Sequence, residues 1–168
     1  MIELKEFSFQ YPQATQPLFH RLNLQIPENS LTLISGPSGS GKSTLLRCIN
    51  GLVPHFSGGD IAGEASILGR DPIIEGPEKM ADLVGFLFQE PEAQFVYDAV
   101  EDEIAFVLEN FGVSYEEMHY RADMVLQAFN LTNLRSEKIQ NLSGGEKQKV
   151  ALASVMINLP KVLLLDEP

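Results

Sequence analysis

Apolar positions along the chain follow two periods, one of two residues and one of about 3.6, and the switches between them set the first expectations. Ile2, Leu4, Phe7 and Phe9 predict a strand over residues 2–9 whose spacing slips near Lys5-Glu6. Leu22, Leu24 and Ile26 alternate with polar residues, which predicts a half-buried strand over 18–26, and Tyr11-Pro12 begins the turn before it. Leu31-Thr32-Leu33-Ile34 is a short apolar run that stops at Ser35-Gly36 and reads as a strand buried on both faces. A helix is expected from about Lys42 to Asn50, ended by Gly51, and residues 54–63 read as loop. Residues 83–88, Leu-Val-Gly-Phe-Leu-Phe, read as another buried strand.

Helical spacing takes over in the second half. Val100, Ile104, Val107, Leu108 and Phe111 form one stripe, with Asp98 and Glu101 in a capping-box pattern at its start. Met118, Ala122, Val125, Leu126 and Phe129 repeat that spacing, and a third helix runs from near Ser143 to about Asn158, where Pro160 ends it. Val162 to Leu165 is a last apolar run, closing at Asp166. Strands alternating with helices indicate an α/β fold. The helical stretch is too long for one crossover. The expectation is therefore a single domain over 1–168, in which 1–95 and 159–168 form a β core and 96–158 a helical subdomain.

The chain has 168 residues, enough for one domain with a core. Its net charge is -11, from 12 basic and 23 acidic residues, which argues against nucleic acid as a partner. Cys48 is the one cysteine, so no intrachain disulfide can form, and it is expected to serve packing. The first residues lack the apolar core of a signal peptide, and no run approaches the about 18 apolar residues of a membrane helix. The chain is therefore expected to be cytosolic and to reach any membrane through a partner. His20, His55 and His119 are scattered, without metal-ligand spacing.

Gly36-Pro37-Ser38-Gly39-Ser40-Gly41-Lys42-Ser43 matches the P-loop pattern in full and lies between an expected strand and an expected helix. Its glycines let the backbone curl so that several N–H groups face one anion, and the helix start adds partial positive charge. Lys42 is expected on the β- and γ-phosphates of ATP, Ser43 on Mg²⁺, and Thr44 among the nucleotide contacts. Val162 to Leu165 followed by Asp166-Glu167 resembles a Walker B motif. Asp166 would hold Mg²⁺ and Glu167 would polarise the attacking water.

Ser143 and Glu146 form a second capping box, and Gly144 and Gly145 leave that helix start uncovered. The segment is either a well-capped helix with a tight glycine entry or a second phosphate site. A second phosphate site, with one nucleotide already on the P-loop, makes sense facing ATP on another subunit, in a symmetric pair.

Leu142-Ser143-Gly144-Gly145-Glu146 resembles the signature of ABC-type ATPases. The order of P-loop, Gln89 after a buried strand, signature and acidic strand end is similar to that family over nearly the whole chain. The resemblance implies a P-loop fold with a mixed sheet core, an N-terminal antiparallel part and a helical subdomain. It implies that Gln89 contacts Mg²⁺ and water, acts in catalysis with Lys42 and Glu167, and links the site to a transmembrane partner. Tyr11 is placed like the aromatic that stacks on adenine; the other reading is a strand-end aromatic in the core. Phe88-Gln89-Glu90-Pro91-Glu92-Ala93-Gln94-Phe95, Gly51 to Gly59 and Val100 to Phe106 look like the energy-coupling-factor branch, which takes up vitamins, cobalt or nickel.

That branch implies a subunit on the cytoplasmic face of the membrane, paired with an identical or different ATPase subunit. Glu101, Asp102 and Glu103 form either a solvated acidic face or a surface for basic residues of the membrane partner. The family continues past its acidic strand end with a switch histidine and a further strand, so the 168 residues read as a piece, with exposed apolar surface and weak hydrolysis expected alone. A soluble repair or translation ABC protein, a nucleotide-binding fragment without turnover, and a small-molecule kinase are the competing readings. The kinase leaves Leu142 to Glu146 unexplained.

Overall fold

The computed structural model describes residues 1–167, Pro91 by its backbone alone; Pro168 lies outside the described residues. By its contacts the chain divides into two compact units, Met1–Ala81 and a second beginning at Asp82. No helix among the described residues is long and apolar enough to cross a membrane.

The first unit is built on three antiparallel strands in the order β2-β1-β3: β1 (Ile2–Gln10), β2 (Phe19–Ile26) and β3 (Asp60–Ile67). The slip expected near Lys5-Glu6 is a bulge. Register advances by three residues on β1, from Leu4 to Phe7, against two on β2, from Leu24 to Leu22. The extra residue turns the strand over, so Ile2 and Leu4 before it and Phe7 and Phe9 after it all face the core despite their odd spacing. Glu6 takes φ 47 there, and its N–H donates to Asn23 Oδ1 at 2.9 Å. Arg21, φ 48 in β2, donates its N–H to Ser8 Oγ at 2.9 Å. Side chains across the sheet thus satisfy backbone groups that the bulges remove from the ladder.

β3 was not expected: the sequence reading places 54–63 in a loop, but residues 60–63 are strand. Only Ala65 and Ile67 of β3 are buried, and Gly63 interrupts its pattern. Helix α1 (Lys42–Ile49) follows the P-loop and ends before Gly51, as expected; its inner stripe is Thr44, Leu45, Cys48 and Ile49. Two short segments follow it, α2 (Leu52–His55) and α3 (Pro72–Met80), the latter starting on Asp71, whose carboxylate accepts from Ile73 N at 2.8 Å. Gly76 at φ 75 breaks α3, so its sequence carries no continuous helical period.

Leu31 to Ile34 does not form the doubly buried strand expected. No ladder among the described residues joins it, and Leu31 and Leu33 are 100% and 89% exposed. Inner-strand character comes from neighbours on both sides, and no strand among the described residues pairs with this run.

In the second unit, β4 (Val84–Leu87) and β5 (Val162–Leu165) pair in parallel, Val84 opposite Val162 and Leu87 opposite Leu165. β5 is covered on one face, not two: Leu164 is buried, whereas Leu163 and Leu165 are partly open. Helices α4 (Val100–Asn110), α5 (Tyr115–Ala128) and α6 (Gly144–Met156) enclose a core of Val100, Ile104, Leu108, Ala122, Leu126 and Val150. Each fully buried Val, Leu or Ile side chain there contributes about 2 kcal/mol. Phe111, expected on the α4 stripe, is 42% exposed just past the helix end.

The capping box expected from Asp98 and Glu101 does not form. The N-cap of α4 is Ala99, without a side-chain cap. The N–H groups of Val100 and Glu101 donate instead to the carbonyls of Glu137 and Arg135, both at 3.1 Å. A tertiary contact from the segment before α6 replaces the local cap.

Candidate nucleotide site

In the first unit the P-loop turns on Gly39 at φ 76 and Gly41 at φ 96. Gly41 also sits in a tight place: an added Cβ would stand 3.0 Å from the Phe19 ring and 3.2 Å from Leu18, on top of the strain of its positive φ. Gly41 is the N-cap of α1, and no side chain caps that helix or places an acid in its first turn. No carboxylate therefore neutralises the positive start of α1, the kind of helix end that suits an anion. Lys42 Nζ reaches back over the loop to the carbonyls of Gly36 at 3.0 Å and Pro37 at 3.1 Å. An ammonium, a helix end without a carboxylate and a glycine-lined turn fit a polyphosphate. Ser38 and Ser40 are exposed along the same turn, and Ser43 lies half-buried in the first turn of α1.

Tyr11 is half-buried at the end of β1. Its ring meets Phe9 edge-on at 4.7 Å, and its hydroxyl is 2.8 Å from Thr44 Oγ1. The Tyr11 bond ties the Thr44 hydroxyl to the end of β1. Both readings of Tyr11 remain compatible with this placement: one edge is packed, and the residue lies beside the helix that carries the P-loop lysine.

In the second unit, β4 and β5 bring two predicted residues together. Asp166 follows β5 and is buried, its N–H donating to Leu87 O at 3.0 Å, which extends the parallel ladder. Glu167 next turns to φ 49, which swings its side chain out to solvent. There its Oε2 accepts from Gln89 Nε2 at 2.7 Å, across 78 positions of sequence. One N–H of the Gln89 amide is thus used, and the bond does not involve its carbonyl oxygen. The Ser43 hydroxyl, the Gln89 carbonyl and the Asp166 carboxylate are hard oxygen donors, the class that Mg²⁺ prefers.

The signature segment begins α6. Ser143 is its N-cap, and the capping box forms as expected. Glu146 N donates to Ser143 Oγ at 3.4 Å, and Ser143 N donates to Glu146 Oε2 at 2.8 Å. The Ser143 hydroxyl also donates to Glu146 Oε2 at 2.6 Å, and these two donors hold the Glu146 carboxyl below its usual range. An added Cβ on Gly144 or Gly145 would meet nothing within 4 Å, so this helix end is open.

The acidic face expected on α4 is taken up within the unit. Glu103 is buried, and its carboxylate accepts from Val96 N and Tyr97 N, both at 2.8 Å. Glu101 pairs with Arg135 at 2.9 Å, and Arg135 also pairs with Asp123 at 2.6 Å. Of the three acids only Asp102 is exposed, so the acidic face open to a basic partner is narrower than the sequence suggests. The missed signal was spacing: Glu103 lies next to Ile104, on the buried side of the helix.

A model of the ABC transporter family matches residues 19–168. This chain belongs to the ABC transporter family. A Streptomyces coelicolor protein, named only by family as an ABC transporter ATP-binding protein, is 44% identical over 168 residues, covering 100% of this chain. The chain spans 30% of that relative and 59% of a Pyrococcus horikoshii relative of like description, 40% identical over 168 residues. Two solved ABC structures share the fold. The structure of cbiO1 from Clostridium perfringens, part of the ABC transporter complex cbiONQ, gives TM-score 0.85 at 29% identity, covering 99% of this chain and 65% of that one. A dimeric, post-hydrolysis ATP-binding cassette, MJ0796, bound to ADP and Pi, gives TM-score 0.82 at 29% identity, covering 99% and 73%. The P-loop ABC ATPase fold expected from the motifs, with its antiparallel N-terminal sheet and helical part, is the fold of this chain.

Proposed function

We propose that this chain is the ATP-binding portion of an ABC ATPase subunit that powers a membrane transporter of the energy-coupling-factor type, for uptake of a vitamin or a metal ion. The observation that carries the ATP reading is the uncapped start of α1 beneath the Lys42 ammonium. The likeness to cbiO1, part of an ABC transporter complex, supports the branch. The likeness to a dimeric cassette supports a second ATPase subunit, identical or different. Such a subunit would lie peripherally on the cytoplasmic face, against a transmembrane partner.

In this reading Gly36 to Thr44 hold the phosphates through backbone N–H groups, and Lys42 leaves its two carbonyls for the β- and γ-phosphates. Ser43, Asp166 and the carbonyl of Gln89 are the residues that would hold Mg²⁺. Mg²⁺, when bound, supplies charge neutralisation on the transferred phosphoryl group. Glu167 accepts the proton of the attacking water, for which Gln89 must release or share its carboxylate. Tyr11 lies against adenine. Ser143, Gly144 and Gly145 face the nucleotide of the second subunit. The grouping of 1–95 with 159–168 as a β core around a helical subdomain, 96–158, belongs to the same proposal.

The test is MgATP binding and turnover by the full-length protein, with Lys42→Ala beside it. Binding and turnover should both be lost in the variant, the turnover by at least about a hundredfold. Undiminished turnover in Lys42→Ala would refute the reading. Nucleotide binding without turnover in the parent protein would favour a binding module over an ATPase.

A further inference from the structure

The segment from Gln89 to Tyr97 is held at both ends: Gln89 donates to Glu167, and the N–H groups of Val96 and Tyr97 are received by the buried Glu103. Between these ends the 3-10 turn Pro91–Gln94 carries Glu92, whose Oε2 is 2.9 Å from Lys147 Nζ. Lys147 is an unusual residue in an unusual place. It is the fourth residue of α6, in the positive first turn, where a cation is disfavoured. Its side chain is only 17% exposed, against the general habit of lysine. Two local penalties fall on Lys147, and the Glu92 carboxylate offsets both. The pair is also the one ion pair among the described residues that joins the Gln89 segment to the signature helix.

We propose that Glu92 and Lys147 are positioning residues that tie the loop of the catalytic glutamine to the signature helix, so that Gln89 and the Ser143 end of α6 change position together. The first turn of α6 is stiff enough to transmit this. Lys147 N donates to Ser143 O at 2.9 Å, and the capping box locks Ser143 to Glu146. A displacement of the turn at Glu92 therefore carries the open helix end at Gly144 and Gly145 with it. Loosening the pair leaves the P-loop untouched and lowers the fraction of time in which Gln89 and the signature are jointly in place, an effect on turnover and not on binding.

This inference rests on the ATPase reading above, and its test keeps the two apart. The full-length protein, assembled with its partner subunit, is compared with Lys147→Glu, Glu92→Lys and the double exchange, with Lys42→Ala as control. Steady-state MgATP turnover and amide hydrogen exchange over residues 88–97 are measured on the same samples. Each single reversal should lower kcat about two- to fivefold at unchanged KM, and should speed exchange over 88–97. The double exchange should restore both. Single variants with wild-type kcat and exchange, or a double exchange no better than its parents, overturn the tether. Turnover surviving Lys42→Ala would sink the ATPase reading instead, and the exchange data would still decide the tether.

Discussion

Cys48 lies one helical turn beyond Thr44 on the inner stripe of α1 and is 1% exposed. Burial pushes its thiol up to about 12, so it stays protonated and unreactive at any physiological pH. The unfolded chain titrates near the ordinary value of 9.0, so the folded state holds the proton more tightly. That contribution to stability is complete below pH 9 and is lost as pH rises toward 12. A thiol reagent at pH 8 should modify Cys48 only as fast as the first unit opens, and reaction at the rate of a free thiol would show that the packing is wrong. At this scale the sequence was informative wherever chemistry is local. The P-loop, the Ser143–Glu146 box and the burial of Cys48 could each be read from a few adjacent residues. Glu103 could not, because its partners are backbone N–H groups in a loop that no periodicity describes.

A single glycine tests the bulged sheet. Gly63 in β3 has φ 89, and a Cβ there would come within 2.6 Å of Lys5 O, opposite the bulge at Glu6. Gly63→Ala should therefore destabilise the first unit by about 2 kcal/mol or more, read as a lowered midpoint in denaturant; Gly69→Ala, with φ 87 but open space, should cost less. Equal midpoints for the two would refute the close approach. The same glycine explains why β3 escaped the sequence reading: a strand with a glycine at its centre and only two buried side chains looks like a loop. Helix α5 and strands β1 and β2 were legible because each carries its own apolar stripe, and α6 because Ser143 and Pro160 mark its ends. The cap of α4 was not, because it comes from Arg135 and Glu137, more than thirty positions away.

The whole chain sets a net charge of -11 against exposed apolar surface. Leu31 and Leu33 stand almost fully in solvent on a run that no ladder among the described residues joins. Such a run is short, apolar and of strand-forming composition, the kind that pairs with a second copy. Like charge keeps copies apart over a Debye length of about 10 Å at 0.1 M salt, and added salt removes that protection. The 168-residue chain should therefore bind an apolar dye such as ANS and scatter more light as salt rises. Leu31→Ser with Leu33→Ser should reduce both, while Leu22→Ser, on the half-buried face of β2, should increase dye binding by loosening the sheet. The double substitution alters no residue assigned to nucleotide, so MgATP affinity should hold within about twofold. Dye binding and scattering unchanged by the double substitution would mean that the apolar run is covered in solution, and the sequence reading of 31–34 as an inner strand would regain its force.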